Sequence, residues 1–477
     1  MNRSLRRLYL AAVAGFVAAV AMLGYWQIVA APGLRDEAGN LQQIQRERLV
    51  DRGRITTADG QLLAASRAVR TEGQRVFERV YRRGDLAPHV VGYSTTREGR
   101  TGIESQWNRF LAGSYGIQPI LQRLELDEKR GADLRLSIDS RIQEASRAAL
   151  AGRAGAVVAL DPRSGAVRAM VSGPDFDLSD VQTDFEAIRG RDGSPVFNRA
   201  TSGLYAPGST FKVVTATAGL GEGGLSPRSV FDDTGTFATP GGPIRNFGNA
   251  RFGEHTFATA LTRSINTTFA RIGTTVGSDI MAATMRGFGF GETPPVDLPP
   301  GEVVASGRYD GRTARALAEE GVDVARLAIG QEKLAVTPLQ MAMVAAAVAN
   351  DGTVMEPFIL ESARDRGGNA VFEKDPNEIG QAMSADVAGE LNGMMQGVVR
   401  EGTGTGAALA GITAVAGKTG TAETGEAGLN HAWFIGFAPA DDPVVAVAVV
   451  IENTPGQGGT EAAPVAREVL AAGVEAG

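Results

Sequence analysis

The first hydrophobic feature of the chain is an unbroken run of uncharged, mostly apolar residues at positions 8–31. At 1.5 Å per helical residue, such a run spans a hydrocarbon core of roughly 30 Å. Three basic residues precede it, Arg3, Arg6 and Arg7, whereas charges of mixed sign follow it. The positive-inside rule therefore predicts a single-pass membrane protein with a cytoplasmic N-terminus and an extracytoplasmic remainder.

A cleaved signal peptide is the alternative interpretation, because residues 29–31 form a small-residue cleavage site. The apolar run is longer than the roughly 7 to 15 residues typical of a signal peptide. Tyr25 and Trp26 also stand where interfacial aromatic residues anchor a membrane span. These two observations favour a retained membrane anchor, which with its cytoplasmic tail comprises residues 1–31.

The polar stretch at residues 32–150 contains short extended-looking pieces at 52–55 and 89–93, and it predicts a small non-catalytic module. At its end, residues 137–150 carry apolar positions at helical spacing, with Asp139 as a candidate N-cap. We expect this helix to lead into the main domain. The predicted division is therefore an anchor at 1–31, a small module at 32–150 and a main domain at 151–477.

The main domain shows a change of hydrophobic period along the chain. Apolar runs at 155–160 and 166–172 flank a turn and predict a β-hairpin. Residues 207–350 are mostly helical in pattern, and their clearest helix starts after Thr337. Strands are predicted again at residues 413–423, 431–438 and 444–453, and a last helix follows at residues 462–474. This order predicts an α+β fold, an antiparallel sheet flanked by helices.

Composition narrows the chemistry that this fold can carry. The 477 residues are 43% hydrophobic, which suits two or three globular domains. The absence of cysteine excludes thiolate metal sites and Cys nucleophiles, and three scattered histidines leave no His-rich metal site. A formal charge of -7 without a basic cluster gives no indication of nucleic-acid binding. The five lysines are informative because they are so few: Lys129, Lys212, Lys333, Lys374 and Lys418.

The first candidate for catalysis is the pair Ser209 and Lys212, which lie one turn apart at the start of an apolar helical segment. A serine hydroxyl is a weak nucleophile until a base takes its proton, and a desolvated lysine can be that base. Free N–H groups at a helix N-terminus can also stabilise an oxyanion beside Ser209. The alternative is a capping serine beside a solvated lysine.

Two further polar motifs follow. Ser264 and Asn266 flank one apolar residue, and can offer a hydroxyl for proton relay and an amide for substrate binding. Further along, a predicted strand carries Lys418, Thr419, Gly420 and Thr421. Glycine in a strand lets a substrate backbone approach, and Lys418 supplies charge for a carboxylate. Taken singly, these motifs also fit a polar loop and a surface turn.

The three motifs together, in the order S-x-x-K, S-x-N and K-T-G, resemble the signature of the penicillin-recognising serine enzymes. Further matches at residues 52–55, 102–104 and 431–434 resemble the class B penicillin-binding proteins. The short module at 32–150 and the start MNRSLRR are most similar to the actinobacterial penicillin-binding protein A group. Since this class places its catalytic domain on a pedestal, residues 32–150 are called the pedestal below.

The resemblance implies roles for the residues of all three motifs. Ser209 would be the acylated nucleophile and Lys212 its base, while Ser264 and Asn266 would form the second wall of the cleft. The substrate-binding residues would be Lys418, Thr419, Gly420 and Thr421, and the N–H groups of residues 209 and 421 would form an oxyanion hole. No metal and no cofactor are implied.

The resemblance also implies a function. The chain would cross-link peptidoglycan, taking a D-Ala-D-Ala stem peptide as donor and an amine of a neighbouring stem as acceptor. It would be inhibited by β-lactams, and it would work at the outer face of the membrane during growth or division. The expected partner is a polytopic membrane glycan polymerase.

Other functions remain open at this point. A D,D-carboxypeptidase shares all three motifs and differs only in passing the acyl group to water. A β-lactamase needs a carboxylate that activates water, and Glu390 has a superficially suitable context but is predicted to lie on a helix surface. A catalytically silent scaffold or a penicillin sensor is the last alternative, although only about seven residues precede the apolar run. Roughly 120 residues before the main domain are too few for a glycosyltransferase domain.

Overall fold

The computed structural model describes residues 3–26, 48–71, 73–95, 97–115 and 130–477. Its first element is a 22-residue helix, Arg3–Gly24, whose stretch Ser4–Gly24 is long and apolar enough to cross a membrane. Large apolar side chains on this helix are exposed; Leu8, for example, is 71% exposed. Such a surface is stable in lipid rather than in water, which supports a single membrane anchor. The helix starts before residue 8, and residues 27–31 of the predicted span lie outside the described residues.

The pedestal is built on a six-stranded sheet. Its neighbours are antiparallel except for the parallel pair Ile55–Thr56 and Asp133–Leu136. A hairpin from far downstream, Leu360–Arg364 with Ala370–Glu373, pairs with Asp133–Leu136 and extends the sheet. The division at residue 150 stays a prediction, and residues from both sides of it form this sheet. The strand order is Ala370–Glu373, Leu360–Arg364, Asp133–Leu136, Ile55–Thr56, Leu62–Thr71 and Gln74–Tyr81.

One predicted extended piece of the pedestal is wrong. Residues 89–93 do not form a strand, because most of them belong to a short buried helix, Pro88–Val91. Proline at the first helical position has the backbone angle of a helix and needs no N–H partner, so it starts this turn. Gly92 ends the turn with a positive φ of 69°. Val90 and Val91 favour a strand, but Pro88 and Gly92 at the two ends of the segment determine a helical turn instead.

The main domain contains a five-stranded antiparallel sheet. Its strands are β1 Gly155–Leu160, β2 Val167–Gly173, β3 Ala416–Glu423, β4 Asn430–Ala438 and β5 Val445–Thr454. Their order across the sheet is β3-β4-β5-β1-β2. Every residue of β1 is buried, so both faces of the sheet are covered. The predicted hairpin and the three late strands are confirmed, with small differences at their ends.

Six principal helices accompany this sheet, α1 Ser140–Leu150, α2 Lys212–Leu220, α3 Asn266–Gly287, α4 Pro338–Ala349, α5 Ala385–Glu401 and α6 Ala462–Ala476. The predicted caps are present, since Asp139 accepts from Arg141 N and Thr337 accepts from Gln340 N. Neighbouring residues of β5 pack in opposite directions: Val449 lies in one apolar cluster with α6, and Val450 in another with α4. Helices therefore cover both faces, which confirms the α+β fold.

The expectation that residues 207–350 are mostly helical is only partly correct. Short strand pairs interrupt this region: Val230–Asp233 with Gly253–Thr256, Thr236–Phe237 with Ile244–Arg245, and Gly307–Asp310 with Thr313–Arg315 and Leu334–Ala335. These strands have only two to four residues, so they carry little hydrophobic periodicity. Hydrogen bonds to distant residues, described below, fix the first two pairs instead.

The remaining elements are short. The helical turns are Gly102–Gln106, Asn108–Leu111, Leu178–Asp180, Val181–Arg189, Arg199–Ser202, Gly208–Phe211, Phe247–Asn249, Phe257–Thr262, Pro300–Glu302, Val324–Leu327 and Thr405–Ala407. The remaining strands are Ser94–Thr95, Gly99–Arg100, Thr353–Met355 and Glu378–Gln381. Of these, Gly208–Phe211 matters most, because it carries Ser209.

Candidate active site

Ser209 lies in the tight turn Gly208–Phe211, which continues directly into α2. Gly208 has a positive φ of 51°, and its N–H donates to Gly330 O at 3.2 Å. A Cβ atom on Gly330 would lie 2.0 Å from Gly208 O, so only glycine allows this approach. Just before the turn, Ala206 O accepts from Trp433 Nε1 at 3.1 Å. Backbone contacts from distant segments therefore fix the position of Ser209.

Strand β3 passes against the same turn. A Cβ atom on Gly420 would lie 2.8 Å from Pro207 O and 2.9 Å from Thr210 Cγ2, so a side chain there would push the strand away. Because β3 is the edge strand of its sheet, one of its sides is not covered by a neighbouring strand. The predicted strand, with a glycine that allows another backbone to approach closely, is present. The expected neighbour of this glycine was a substrate, whereas in the structure the Ser209 turn lies against Gly420.

Lys212 connects the first motif with the second. Its side chain is fully buried, and its Nζ donates to Ser264 O at 2.8 Å, to Ser264 Oγ at 3.2 Å and to Asn266 Oδ1 at 2.7 Å. The ring of Phe269 lies 5.4 Å from the same nitrogen. Ser264 has a left-handed φ of 57°, immediately before α3 begins at Asn266. This kink turns the Ser264 carbonyl and hydroxyl toward one amine.

Lys418 completes the cluster from β3. It is fully buried, and its Nζ donates to Ser264 Oγ at 2.9 Å and to Thr419 O at 2.9 Å. The Ser264 hydroxyl oxygen therefore accepts from both lysines. The three predicted motifs, far apart in the sequence, meet at this one atom.

Burial determines the protonation chemistry of the two lysines. Desolvation, reinforced by the charge of Lys418, lowers the pKa of Lys212 well below its ordinary value. Desolvation alone lowers the pKa of Lys418 to about 7. A neutral Lys212 has a lone pair that can accept a proton, and Ser209 lies one turn before it. The lowered pKa therefore favours Lys212 over a histidine as the candidate base of this site.

The wall that holds Asn266 depends on residues that the sequence did not reveal. Asn266 Nδ2 donates to Arg245 O at 2.9 Å. Asn246, the residue after Arg245, donates to Asp233 at 2.8 Å. Thr267 Oγ1, in the first turn of α3, also donates to Asp233, at 2.6 Å. These residues lie on separate segments with no short motif, so no sequence signal could have identified them. Together they orient the start of α3 and its amide.

The other predicted substrate residues lie on β3 as expected, but they do not all face the lysines. Thr419 Oγ1 is 2.5 Å from Thr403 Oγ1, and side chains alternate along a strand, so Thr419 lies on the face opposite Lys418. Thr421 is exposed, and its hydroxyl accepts from Gly458 N at 3.3 Å. The structure thus brings together Lys212, Ser264, Asn266 and Lys418, while Ser209 lies in the turn just before Lys212 and Gly420 is the contact between β3 and that turn.

Residues outside the three motifs support the site through structural contacts. Arg199 Nε and Tyr205 OH both donate to Glu452 Oε1, at 2.9 and 2.6 Å, which ties the approach to the Ser209 turn to β5. The ring of His431 packs edge-on against Tyr205 at 5.2 Å between centroids. Glu390 is exposed on α5, as expected for a surface helix residue. Among the described residues, no group of three or more His, Asp or Glu is placed to hold a metal ion.

Two family models match the chain. The penicillin binding protein transpeptidase domain matches residues 155–471, and the penicillin binding protein A dimerisation domain matches residues 52–133. The peptidoglycan D,D-transpeptidase PbpA of Mycolicibacterium smegmatis is 34% identical, and the alignment covers 100% of each chain. The peptidoglycan D,D-transpeptidase MrdA of Acinetobacter baumannii is 32% identical over 84% of this chain and 66% of its own.

Solved structures agree with these relatives. A ceftriaxone acyl-enzyme complex of penicillin-binding protein A from M. tuberculosis superposes with a TM-score of 0.80 at 32% identity, over 90% of this chain and 99% of that one. The D,D-transpeptidase domain of a peptidoglycan glycosyltransferase from Eggerthella lenta gives 0.78 at 36% identity, with the same coverage. The predicted family, fold and enzyme class are confirmed, and the chain belongs to the class B penicillin-binding proteins, which are serine D,D-transpeptidases.

Proposed function

We propose that this protein cross-links peptidoglycan through an acyl-enzyme formed on Ser209. The Ser209 oxygen attacks the carbonyl carbon between the two D-Ala residues of a donor stem peptide, and the terminal D-Ala leaves as its free amine. An amine of a neighbouring stem then attacks the ester carbonyl and releases the serine. The observation that carries this proposal is the buried Lys212, whose pKa is lowered well below its ordinary value beside the serine turn.

Lys212 is the base in this mechanism. It takes the proton of Ser209 as the oxygen attacks, which leaves an ammonium that can donate to Ser264 Oγ at 3.2 Å. Ser264 can pass a proton onward because a hydroxyl both donates and accepts. The leaving amine of D-Ala thus receives its proton through Ser264, and the lysine returns to its neutral form for the next step.

The donor peptide lies along the exposed side of β3. An extended peptide can pair with an edge strand, which aligns its scissile carbonyl with the serine turn. The N–H groups of Ser209 and Thr421 stabilise the oxyanion, and the exposed Thr421 hydroxyl binds the terminal carboxylate. Asn266 binds the amide of the stem peptide. These roles follow the family pattern.

Labelling with fluorescent penicillin tests the nucleophile. Ser209→Ala is expected to abolish labelling, and Lys212→Ala to slow acylation by roughly 10² to 10⁴, the usual contribution of a positioned base. Lys333→Ala is the matched lysine control, since Lys333 is 54% exposed and pairs with Asp310 at 3.2 Å. Labelling that persists in folded Ser209→Ala would place the nucleophile elsewhere.

Transfer and hydrolysis are separated by the lifetime of the acyl-enzyme. Among the described residues, the motifs around Ser209 bring no carboxylate into hydrogen-bond contact with either lysine, so no carboxylate is positioned there to activate water. The penicilloyl adduct is therefore expected to persist for many minutes. A stem-peptide donor with a D-amino acid acceptor should give the transfer product. Turnover of penicillin within seconds would indicate a β-lactamase, and release of the free acid alone would indicate a D,D-carboxypeptidase.

We also propose that the N-terminus is cytoplasmic and the catalytic domain extracytoplasmic. Support comes from the basic residues before the apolar helix and from the location of peptidoglycan outside the membrane. A reporter that is active only in the cytoplasm should be silent when fused after Gly477, and a bright signal would reverse the topology.

A polytopic glycan polymerase is the proposed partner, because new glycan strands must be supplied at the same membrane face. Co-purification from detergent with each candidate polymerase tests this partner.

A further inference from the structure

Thr403, which belongs to none of the three motifs, lies beside strand β3. It is exposed, and its Oγ1 is 2.5 Å from Oγ1 of Thr419, the buried threonine of the third motif. Its N–H donates to Thr262 O at 3.4 Å, two residues before Ser264 of the second motif. Thr403 therefore contacts both β3 and the segment that leads into the second wall of the cleft, and the proposed function gives it no role.

The segment that carries Thr403 crosses the edge of the main sheet. It starts at the end of α5, whose Met395 packs in the same apolar cluster as α4, and it reaches Ala407, which packs with α6 on the other face. β3 is the edge strand, and the contact with Thr419 places this crossing beside the middle of the strand. The groove along β3 is therefore closed at Thr419, whereas Thr421 further along is exposed.

Two hydroxyl groups at this end of the groove each have a proton to donate. Thr421 Oγ1 accepts from Gly458 N at 3.3 Å, which leaves its own proton free. Among the described residues, Thr403 Oγ1 has no hydrogen-bond partner other than Thr419 Oγ1, and one proton is enough to join two hydroxyl oxygens. Because Thr419 is only 6% exposed, the free proton that a ligand can reach is the one on Thr403.

The spacing of the Thr403 and Thr421 hydroxyls suits a single carboxylate. Thr419 and Thr421 are two residues apart on one face of β3, so their positions are about 7 Å apart. Two hydrogen bonds of about 2.7 Å to the two oxygens of one carboxylate span a similar distance. One loop supports both hydroxyls, since Gly458 N donates to Thr421 and a Cβ atom on Gly459 would lie 2.4 Å from Thr403 O. The loop therefore fixes the two donors relative to each other.

We propose that Thr403 donates a hydrogen bond to the terminal carboxylate of the donor peptide, and to the carboxylate of a penicillin, from the closed end of the groove. Thr421 donates to the second oxygen of the same carboxylate. Thr419, which the resemblance assigns to substrate binding, acts through Thr403, whose hydroxyl it holds in place. This inference rests on the proposed function, because it takes the donor to be a peptide that ends in D-Ala.

Two forms of one penicillin test this role: benzylpenicillin, which has a free carboxylate, and its methyl ester, which has none. Acylation of the full chain in detergent by each compound is measured from the loss of sites that fluorescent penicillin can label. Wild type should react faster with the acid than with the ester. Thr403→Val keeps the shape of the side chain without its hydroxyl. It should slow the acid by about tenfold or more, as for a lost hydrogen bond to a charged group, and the ester by less than about twofold.

Two further variants show whether the hydroxyl itself is responsible. Thr403→Ser restores the hydroxyl without the methyl group, so it should recover most of the preference for the acid. Thr275→Val removes a threonine hydroxyl from the exposed surface of α3, where it donates to Arg271 O at 2.9 Å, and it should leave both rates unchanged. A general disturbance of the fold would slow the acid and the ester alike, so the ratio of the two rates reports recognition of the carboxylate.

The possible results separate this inference from the proposed function. The inference is overturned if Thr403→Val slows both compounds by the same factor, if it leaves both rates as in wild type, or if wild type does not distinguish the acid from the ester. The proposed function fails in a different way, because wild type would then not be labelled at Ser209 by fluorescent penicillin. Circular dichroism of each variant confirms that it is folded.

Discussion

The two buried lysines should be coupled, so that replacing one changes the pKa of the other. Lys212 Nζ and Lys418 Nζ lie 3.2 and 2.9 Å from the same Ser264 oxygen, so the two nitrogens are at most about 6 Å apart. With an effective dielectric constant near 20, two positive charges at that distance repel by about 2.7 kcal/mol. The charge of Lys418 thus disfavours protonation of Lys212, in agreement with the direction of its pKa shift.

Removing the charge of Lys418 should therefore raise the pKa of Lys212. The second-order rate of acylation by fluorescent penicillin, measured from pH 4 to 9, reports the ionisation of the free enzyme. In wild type the rate rises with pH as Lys212 loses its proton. In Lys418→Gln this rise should move to higher pH by about one to two pH units, the equivalent of the repulsion above. Weaker binding of the β-lactam carboxylate lowers the rate at every pH but does not move the rise.

Two matched variants complete this experiment. Lys418→Arg keeps a positive charge in the same place, so the rise should stay near its wild-type position. Lys333→Gln removes an exposed lysine that pairs with Asp310, and it should change neither the rate nor the profile. An unchanged profile in Lys418→Gln, or a move to lower pH, would refute the assignment of Lys212 as the titrating base.

Three further outcomes are expected. Gly420→Ala should slow acylation at least about tenfold, because its Cβ would press on Pro207 O. The control is Gly389→Ala, at an exposed position of α5 with free space around it, which should leave the rate unchanged and stabilise the folded protein by about 0.5–1 kcal/mol. Ser264→Ala, which keeps the Cβ, should reduce acylation by roughly 10² while circular dichroism is unchanged. The pKa of Lys418 is about 7 in the folded protein and near 10.4 in the unfolded chain, so the contribution of Lys418 to stability rises with pH between these two values. The urea midpoint of Lys418→Met should therefore rise less over this pH range than the midpoint of wild type.

The candidate site residues could be picked out of the sequence, and the reason is composition as much as motif. Only five lysines occur in the chain, and two of them, Lys212 and Lys418, fall in the signature. The caps Asp139 and Thr337 could also be predicted, because capping depends on neighbours within one turn. Local chemistry of this kind is readable without a structure.

Features that depend on distant segments could not be predicted. The hairpin Leu360–Glu373 joins the pedestal sheet, and nothing in its own sequence names Asp133–Leu136 as its neighbour. Likewise, Asp233 stabilises the start of α3 through Thr267 and Asn246, each on a different segment. Sequence patterns give the period of an element but not its partner.

The glycines around Ser209 show why the motif residues work only in this fold. Gly330 allows its backbone to reach Gly208, and Gly420 allows β3 to reach Pro207, so backbone rather than side chains surrounds the nucleophile. Backbone groups lose little freedom when a substrate binds, because the strand and turn already fix them. The lysines, by contrast, act through burial, which shifts their pKa values. In the proposed mechanism, a serine held by fixed backbone and a base tuned by desolvation together replace the histidine and carboxylate on which other serine enzymes depend.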